Sequence, residues 1–274
     1  MPTKRQLRSS KKLSKIRKQR KKFPELLKNL VETSDIILEV LDARFIEETR
    51  NEEIEKLIHD SGKQILYVLN KADLRKKVEV KKFLSENLRP FSFVSALKRM
   101  GSKDLRNKIK ALSKKVETKE DKIFVGVIGY PNTGKSSLIN LLIGKSSAKI
   151  GATAGFTKGL QKLKLSRDIV LIDSPGVIPN KEYSSIDSDK ISKHVMVGAR
   201  DYHKVRDPEI VVSRMMDKYS EAFENFYKLK VNDAEELIEI LGKKRNILKK
   251  GGVINTDRVA RLIIKDWQDG KIII

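Results

Sequence analysis

The sequence predicts an α/β fold: a mostly parallel, six-stranded sheet covered on both faces, followed by an all-helical C-terminal domain. Three observations carry that expectation. Short runs rich in Ile, Val and Leu recur up to Ile172. Charged segments with helical periodicity separate most of them, as where helices cross over between parallel strands. Beyond Pro179 the strand-like runs stop and helical patterns take over.

Taken in order, residues 1–23 read as a basic, disordered tail. Lys4, Arg5, Arg8, Lys11, Lys12, Lys15, Arg17, Lys18, Arg20, Lys21 and Lys22 precede the first acid, Glu25, and supply nearly half of the net charge of +23. Such a segment repels itself and has too little apolar surface to fold alone. A polyanion would neutralise it and release condensed counterions. The alternatives are a solvated or targeting tail and a polybasic lipid anchor. Past Met1 and Pro2, only Leu7, Leu13 and Ile16 are apolar up to Lys22, and the chain has no cysteine to acylate. That composition argues against the lipid anchor.

A helical pattern over Pro24–Val31 leads into the apolar run Asp35–Leu41, and strand-like runs follow at Gln64–Leu69, Phe91–Val94 and Ile123–Ile128. Helical patterns lie at Glu52–His59, Val78–Asn87 and Lys103–Lys115, with a polar connector at Ser113–Lys122. Leu163–Leu165 and Ile169–Ile172, on either side of Ser166-Arg167-Asp168, predict a hairpin that adds one antiparallel strand. Helices are then expected at Pro208–Lys228, Asp233–Asn246 and Asp257–Asp269, with Asn232 and Thr256 as N-caps. Leu237, Ile238 and Leu241 share one helical face, as do Val259, Leu262 and Ile263. The expected division is a tail at 1–23, an α/β domain at 24–182 and a helical domain at 183–274.

The composition also excludes. Without cysteine there is no disulfide-linked partner, thiolate metal site or thiol nucleophile. No apolar run reaches the roughly 18 residues needed to span a bilayer, and the charged start does not read as a secretory signal. A cytoplasmic monomer with no membrane partner is expected. His59, His194 and His203 lack the spacing of a metal site. Trp267 lies near a helical stripe and reads as core rather than as a base-stacking platform.

Chemistry is concentrated in four short motifs. Gly129-Tyr-Pro-Asn-Thr-Gly-Lys-Ser136 has the spacing of a phosphate-binding P-loop, between the run ending at Ile128 and the helical pattern Ser137–Ile143. There Asn132, Thr133, Gly134, Lys135, Ser136 and Ser137 would line a nucleotide's phosphates at a helix N-terminus. Lys135 would reach the β- and γ-phosphates, and Ser136 would offer its hydroxyl to Mg²⁺. Asp173-Ser-Pro-Gly176 closes another strand, where Asp173 can hold the hydration shell of Mg²⁺ and Gly176 can turn its N–H to the γ-phosphate. Asn70-Lys71-Ala72-Asp73 offers a carboxylate that accepts two hydrogen bonds from guanine; adenine lacks the amine and would leave Asp73 unpaired. Lys71 would lie along the base, Asn70 would brace the loop, and Ser95-Ala96 would present a backbone N–H to the guanine carbonyl. Each motif follows a strand, where open α/β sheets bind ligands.

These residues resemble the motifs of Ras-like GTPases, but with the last two written first, as in circularly permuted GTPases. Asp42-Ala43-Arg44, followed by Arg50-Asn51, resembles a signature of the YlqF/RbgA group and its eukaryotic nucleolar relatives. Lys250-Gly-Gly252, Asp257, Asp266 and Gly270-Lys-Ile resemble that group's tail. The resemblance implies a circularly permuted Ras-like P-loop GTPase domain using GTP or GDP and Mg²⁺, with rRNA and a large-subunit precursor as partners. The other permuted group, of the YjeQ/RsgA type, carries an N-terminal barrel and a zinc site, for which this chain has neither the leading sequence nor the cysteines.

Between Gly144 and Leu163 the resemblance places a switch threonine at Thr157, preferred to Thr153 because it fits Gly-x-Thr; it would close over Mg²⁺ and join Lys135 and Gly176 in catalysis. Val177 stands where Ras-like enzymes carry a water-orienting glutamine. Intrinsic hydrolysis is therefore expected to be slow and to depend on ribosomal particles, another residue or an ion. Asn132 resembles the asparagine that holds K⁺ in potassium-dependent GTPases; alternatively it only braces the loop. Asp42 and Arg44 read as a structural pair or as catalytic groups. The competing function is a signalling or membrane-associated switch with little hydrolysis.

Overall fold

The computed structural model describes residues 25–75, 88–117, 121–144, 160–178 and 188–274. The basic tail, the Val78–Asn87 pattern, Thr153 and Thr157 lie outside them. One six-stranded sheet organises the first part, from β1 (Ile36–Asp42), β2 (Gln64–Asn70), β3 (Phe91–Phe93), β4 (Ile123–Gly129), β5 (Gln161–Lys164) and β6 (Ile169–Asp173). Their spatial order is β3-β2-β1-β4-β6-β5, and only β5 runs antiparallel to its neighbour. The expected hairpin and sheet are both present.

Central strands of a parallel sheet bury both faces, which is why β1 reads as Ile-Ile-Leu-Glu-Val-Leu-Asp with every residue buried. Alternation divides it. Ile36, Leu38 and Val40 pack with Leu105 and Ile109 of α4 (Ser102–Ser113) and with Leu138 and Leu142 of α5 (Lys135–Ile143). Ile37 faces the opposite layer, where Leu27, Leu30 and Val31 of α1 (residues 25–33) meet Ile54 and Ile58 of α3 (Glu52–Asp60). The short α2 (Ile46–Thr49) follows β1 directly.

Parallel register places the C-terminal ends of five strands along one edge. Asp42 lies opposite Asn70, Val40 opposite Gly129, and Val127 opposite Asp173, while Leu69 pairs with Phe93 just before Ser95. All four motifs therefore emerge on the same side of the sheet, although they are written in rotated order.

The C-terminal helices are α6 (Ser188–Met196), α7 (Pro208–Tyr227), α8 (Ala234–Lys244) and α9 (Thr256–Gln268). Their shared core centres on Trp267, which stacks on Phe223 with ring centroids 5.3 Å apart. Trp267 is fully buried and its indole N–H donates to the Met196 carbonyl at 2.9 Å, so the core reading of this residue holds. Phe45 and Tyr130, from the sheet's loop edge, belong to the same core.

Both expected N-caps are displaced by one residue. Asp233, not Asn232, caps α8 by accepting from the Glu236 N–H; the Asn232 backbone N–H and side-chain amide both donate to Glu236. Asn255, not Thr256, caps α9 by accepting from Arg258. In each case the side chain directly before the helix has the right reach to the N3 amide, and it caps. Helix α6 was not individually expected, because only Ile191, Val195 and Met196 interrupt its polar sequence.

Candidate functional site

The phosphate loop depends on two glycines. Gly129 adopts φ 147°, and a β-carbon there would lie 2.4 Å from the Val40 carbonyl oxygen. Gly134 adopts φ 93° and caps α5, leaving the first amides of that helix facing the loop. Lys135 is buried, and its ammonium donates to the Gly129 and Tyr130 carbonyls at 3.0 and 2.9 Å. Burial lowers its pKa to about 8, against the pull of Asp173. Thr133 turns its hydroxyl onto the Tyr130 carbonyl at 3.0 Å, so only its backbone can meet an anion. Ser137 occupies the first turn of α5.

Asp173 and Ser136 meet across the loop, the hydroxyl donating to one carboxylate oxygen at 3.3 Å. The other carboxylate oxygen is buried without a hydrogen-bond partner among the described residues. Burial raises the Asp173 pKa, with Lys135 opposing the shift. An oxygen-only pair with an unsatisfied carboxylate oxygen suits a hard cation such as Mg²⁺. Gly176 presses against the loop, where a β-carbon would fall 2.7 Å from the Pro131 α-carbon and 3.2 Å from the Lys135 ammonium. Val177 packs into the α1/α3 layer with Ile172.

On the other side of the same edge, Asn70 links three loops. Its side-chain amide donates to the Thr133 carbonyl at 2.8 Å, and its amide oxygen accepts from the Ala96 N–H at 3.1 Å. The guanine-type loop, the phosphate loop and the Ser-Ala loop are thereby tied together. Lys71 holds a left-handed conformation, φ 59°, and opens the 3₁₀ turn Ala72–Leu74 that carries half-buried Asp73. Ser95 is buried and its hydroxyl accepts from the Lys98 N–H at 3.1 Å.

Asp42 lies beneath this turn. Its carboxylate is fully buried and accepts from Lys71 at 2.8 Å and from the Arg44 guanidinium at 2.9 and 3.1 Å. Burial alone would raise its pKa, but Arg44 and then Lys71 outweigh it and hold the carboxyl well below the usual range. Burial pulls the Lys71 ammonium below its ordinary value, and Asp42 opposes that pull. The Asp42–Arg44 pairing read from the sequence is thus a buried ion pair that includes Lys71.

Asn132, φ 60°, donates its amide to the Gly198 carbonyl at 2.6 Å, just beyond α6. The structure shows bracing toward the C-terminal helices. That contact, the double role of Asn70 and the buried Glu39 escaped the sequence reading. Glu39 had a signal, a lone acid inside an apolar strand; it accepts from the Asn51 N–H at 3.0 Å, and burial pushes its pKa well up. Among the described residues no group of histidines and acids forms a metal cluster, and no helix is long and apolar enough to cross a membrane.

Residues 124–248 match the family model described as 50S ribosome-binding GTPase. A crystal structure of GNP-bound YlqF from T. maritima shares the fold, with a TM-score of 0.65 and 24% identity over 91% of this chain and 94% of that one. An uncharacterized GTP-binding protein of Methanocaldococcus jannaschii, MJ1464, is 40% identical over 92% of this chain and 67% of its own length. The chain belongs to the YlqF-type family of circularly permuted GTPases. Within the family it is also similar to the nuclear GTP-binding protein NUG1 of Saccharomyces cerevisiae, at 31% identity over 95% of this chain. It spans 57% of that yeast relative's length.

Breaking the buried ion pair by Asp42→Asn should cost about 3–5 kcal/mol near neutral pH, read from urea unfolding. A depressed carboxyl stabilises fully above its ordinary value of about 3.8 and loses that contribution as pH falls towards the folded value. The stability gap between wild type and Asp42→Asn should therefore close in acid; a gap independent of pH would contradict the assignment.

Proposed function

We propose that the protein is a GTP-hydrolysing assembly factor that binds rRNA in a precursor of the large ribosomal subunit. The observation that carries the nucleotide part is Asn70 bonded to Thr133, which sets a guanine-type loop against a phosphate loop on one sheet edge. In this reading Asp73 accepts the guanine ring N–H and amine, Lys71 flanks the base, and Ala96 offers its N–H to the carbonyl. Lys135 leaves the loop carbonyls for the β- and γ-phosphates. Ser136, Asp173 and Thr157 hold Mg²⁺, which supplies neutralising charge to the phosphates when bound. Gly176 turns its N–H to the γ-phosphate.

Val177 is a core side chain and cannot orient water. Turnover by the isolated protein is accordingly slow, and pre-ribosomal particles accelerate it. The Asn132 side-chain oxygen helps seat K⁺ beside the phosphates, which partly replaces a missing arginine finger.

Two charged regions support the RNA reading. One is the N-terminal arm. The other is the exposed end of α8 and the turn after it, where Lys243, Lys244, Arg245, Lys249 and Lys250 lie between Glu239 and Asp257 without an intervening acid. Cations so placed favour a phosphate backbone. The description of the matching family model, a 50S ribosome-binding GTPase, points the same way.

Purified protein should prefer GDP and GTP to the adenine nucleotides by on the order of 100-fold, measured by competition with a fluorescent guanine nucleotide. Lys135→Ala should abolish most of that binding; comparable affinity for ATP would refute the reading. Deleting residues 1–22 should weaken rRNA binding and flatten its dependence on salt, followed by filter binding across a KCl series. An unchanged affinity and slope would remove the arm from the interface. GTP turnover should be faster in KCl than in matched NaCl, with and without ribosomal particles, and equal rates would discard the K⁺ site.

A further inference from the structure

We propose that α9 and the residues after it position the guanine-reading turn, so that recognition of the base and docking of the C-terminal helices are one coupled equilibrium. The inference rests on the guanine reading of Asp73.

Two contacts carry it. The first runs through charge. Asp42 bonds Lys71, the residue that opens the turn, and also Arg44. Arg44 is itself buried, and its remaining nitrogen donates to the Trp267 carbonyl at 3.3 Å. That carbonyl lies in the last turn of α9, where a cation is favoured, and it also accepts from the Gly270 N–H at 3.0 Å. Arg44 therefore caps α9 while it neutralises Asp42. Its guanidinium also covers the Phe45 ring, 4.9 Å from the centroid, and Phe45 stacks on Trp267 at 5.7 Å.

The second contact is steric. Gly270, φ 73°, sits so close to the turn that a β-carbon would lie 2.8 Å from Leu74 Cδ1, and Leu74 adjoins Asp73. The segment bearing Gly270 is held in turn. Asp266 accepts from Lys271 at 2.7 Å and from the Tyr227 hydroxyl at 3.2 Å. Arg75 closes the far side by donating to the Ala43 and Arg44 carbonyls at 3.2 and 3.1 Å. The turn carrying Asp73 is thus clamped between the segment after Asp42 and the end of α9. Whatever fixes α9 fixes the carboxylate, and by reciprocity a base that fixes the carboxylate stabilises α9.

Inosine diphosphate isolates this effect, because hypoxanthine keeps the ring N–H and carbonyl of guanine but lacks the amine that Asp73 would read. The test compares GDP and IDP affinity in the full-length chain for wild type, Arg44→Lys, Gly270→Val and the milder Gly270→Ala. Lysine keeps the charge against Asp42 but cannot fork to the Trp267 carbonyl as well. Wild type should favour GDP over IDP by about tenfold or more, since an unpaired carboxylate is costly. Arg44→Lys and Gly270→Val should shrink that preference to within about threefold while IDP affinity changes little, as the phosphate contacts persist. Gly270→Ala should fall between them and wild type, and it carries the test if valine prevents folding.

Trp267 is the chain's only tryptophan, so acrylamide quenching of its emission reports on α9 directly. GDP should protect it more than IDP does in wild type, and equally in Arg44→Lys. Folded variants that keep the wild-type GDP preference, or that lose both ligands in parallel, would overturn the coupling. A wild-type protein that does not distinguish GDP from IDP would instead overturn the guanine reading on which the coupling stands.

Discussion

A carboxylate buried away from water must be paid in counter-charge, and Asp42 is that carboxylate. Its two cations come from different places, Arg44 from the same loop and Lys71 from the neighbouring strand end. Removing either would leave charge in a site of low dielectric, which is why such sites tolerate little displacement. The register that sets Asp42 opposite Asn70 gives the ion pair its location. It stands at the root of the guanine-type loop and within reach of α9, and both are fixed by the same solvation demand.

Asn70 does with neutral groups what Asp42 does with charge. One donor and one acceptor on a single amide satisfy the Thr133 carbonyl and the Ala96 N–H, two backbone groups of loops far apart in sequence. These loops can meet because parallel strands end on a common edge. The order in which the chain visits those strands does not enter the geometry. Rotating the motifs therefore preserves the site, provided β4 still slots between β1 and β6.

What was legible in the sequence follows from the range of the forces involved. The strands and the P-loop are local: periodicity and two glycines at set spacing suffice, and Gly129 and Gly134 indeed hold positive φ. The cap positions erred by one residue because Asn232-Asp233 and Asn255-Thr256 each offer two competent caps, and the backbone path chooses. Asn132 illustrates the opposite limit. Its partner is the Gly198 carbonyl, a backbone group with no side-chain signature, reached only after the helices fold back. The Trp267 carbonyl that Arg44 seeks is equally silent. Glu39 could have been flagged as an acid in an apolar strand, but its Asn51 partner follows only from how α3 begins.

The C-terminal helices share one core with the loop edge of the sheet. Phe45 and Tyr130 are buried in it, and exposing either ring would forfeit about 1.5–3 kcal/mol of hydrophobic stabilisation. Asn132 joins that layer from the loop after β4 and Arg44 joins it from the loop after β1. A helical layer anchored both at Asn132 and at Arg44 is poorly suited to a wide swing, which would break both anchors and wet the aromatic rings together. Small shear of packed helices, with the turn at Gly198 following the phosphate loop, keeps the rings covered and alters only a few polar contacts. The docked arrangement of the helices therefore depends on the same loop edge that carries the four motifs.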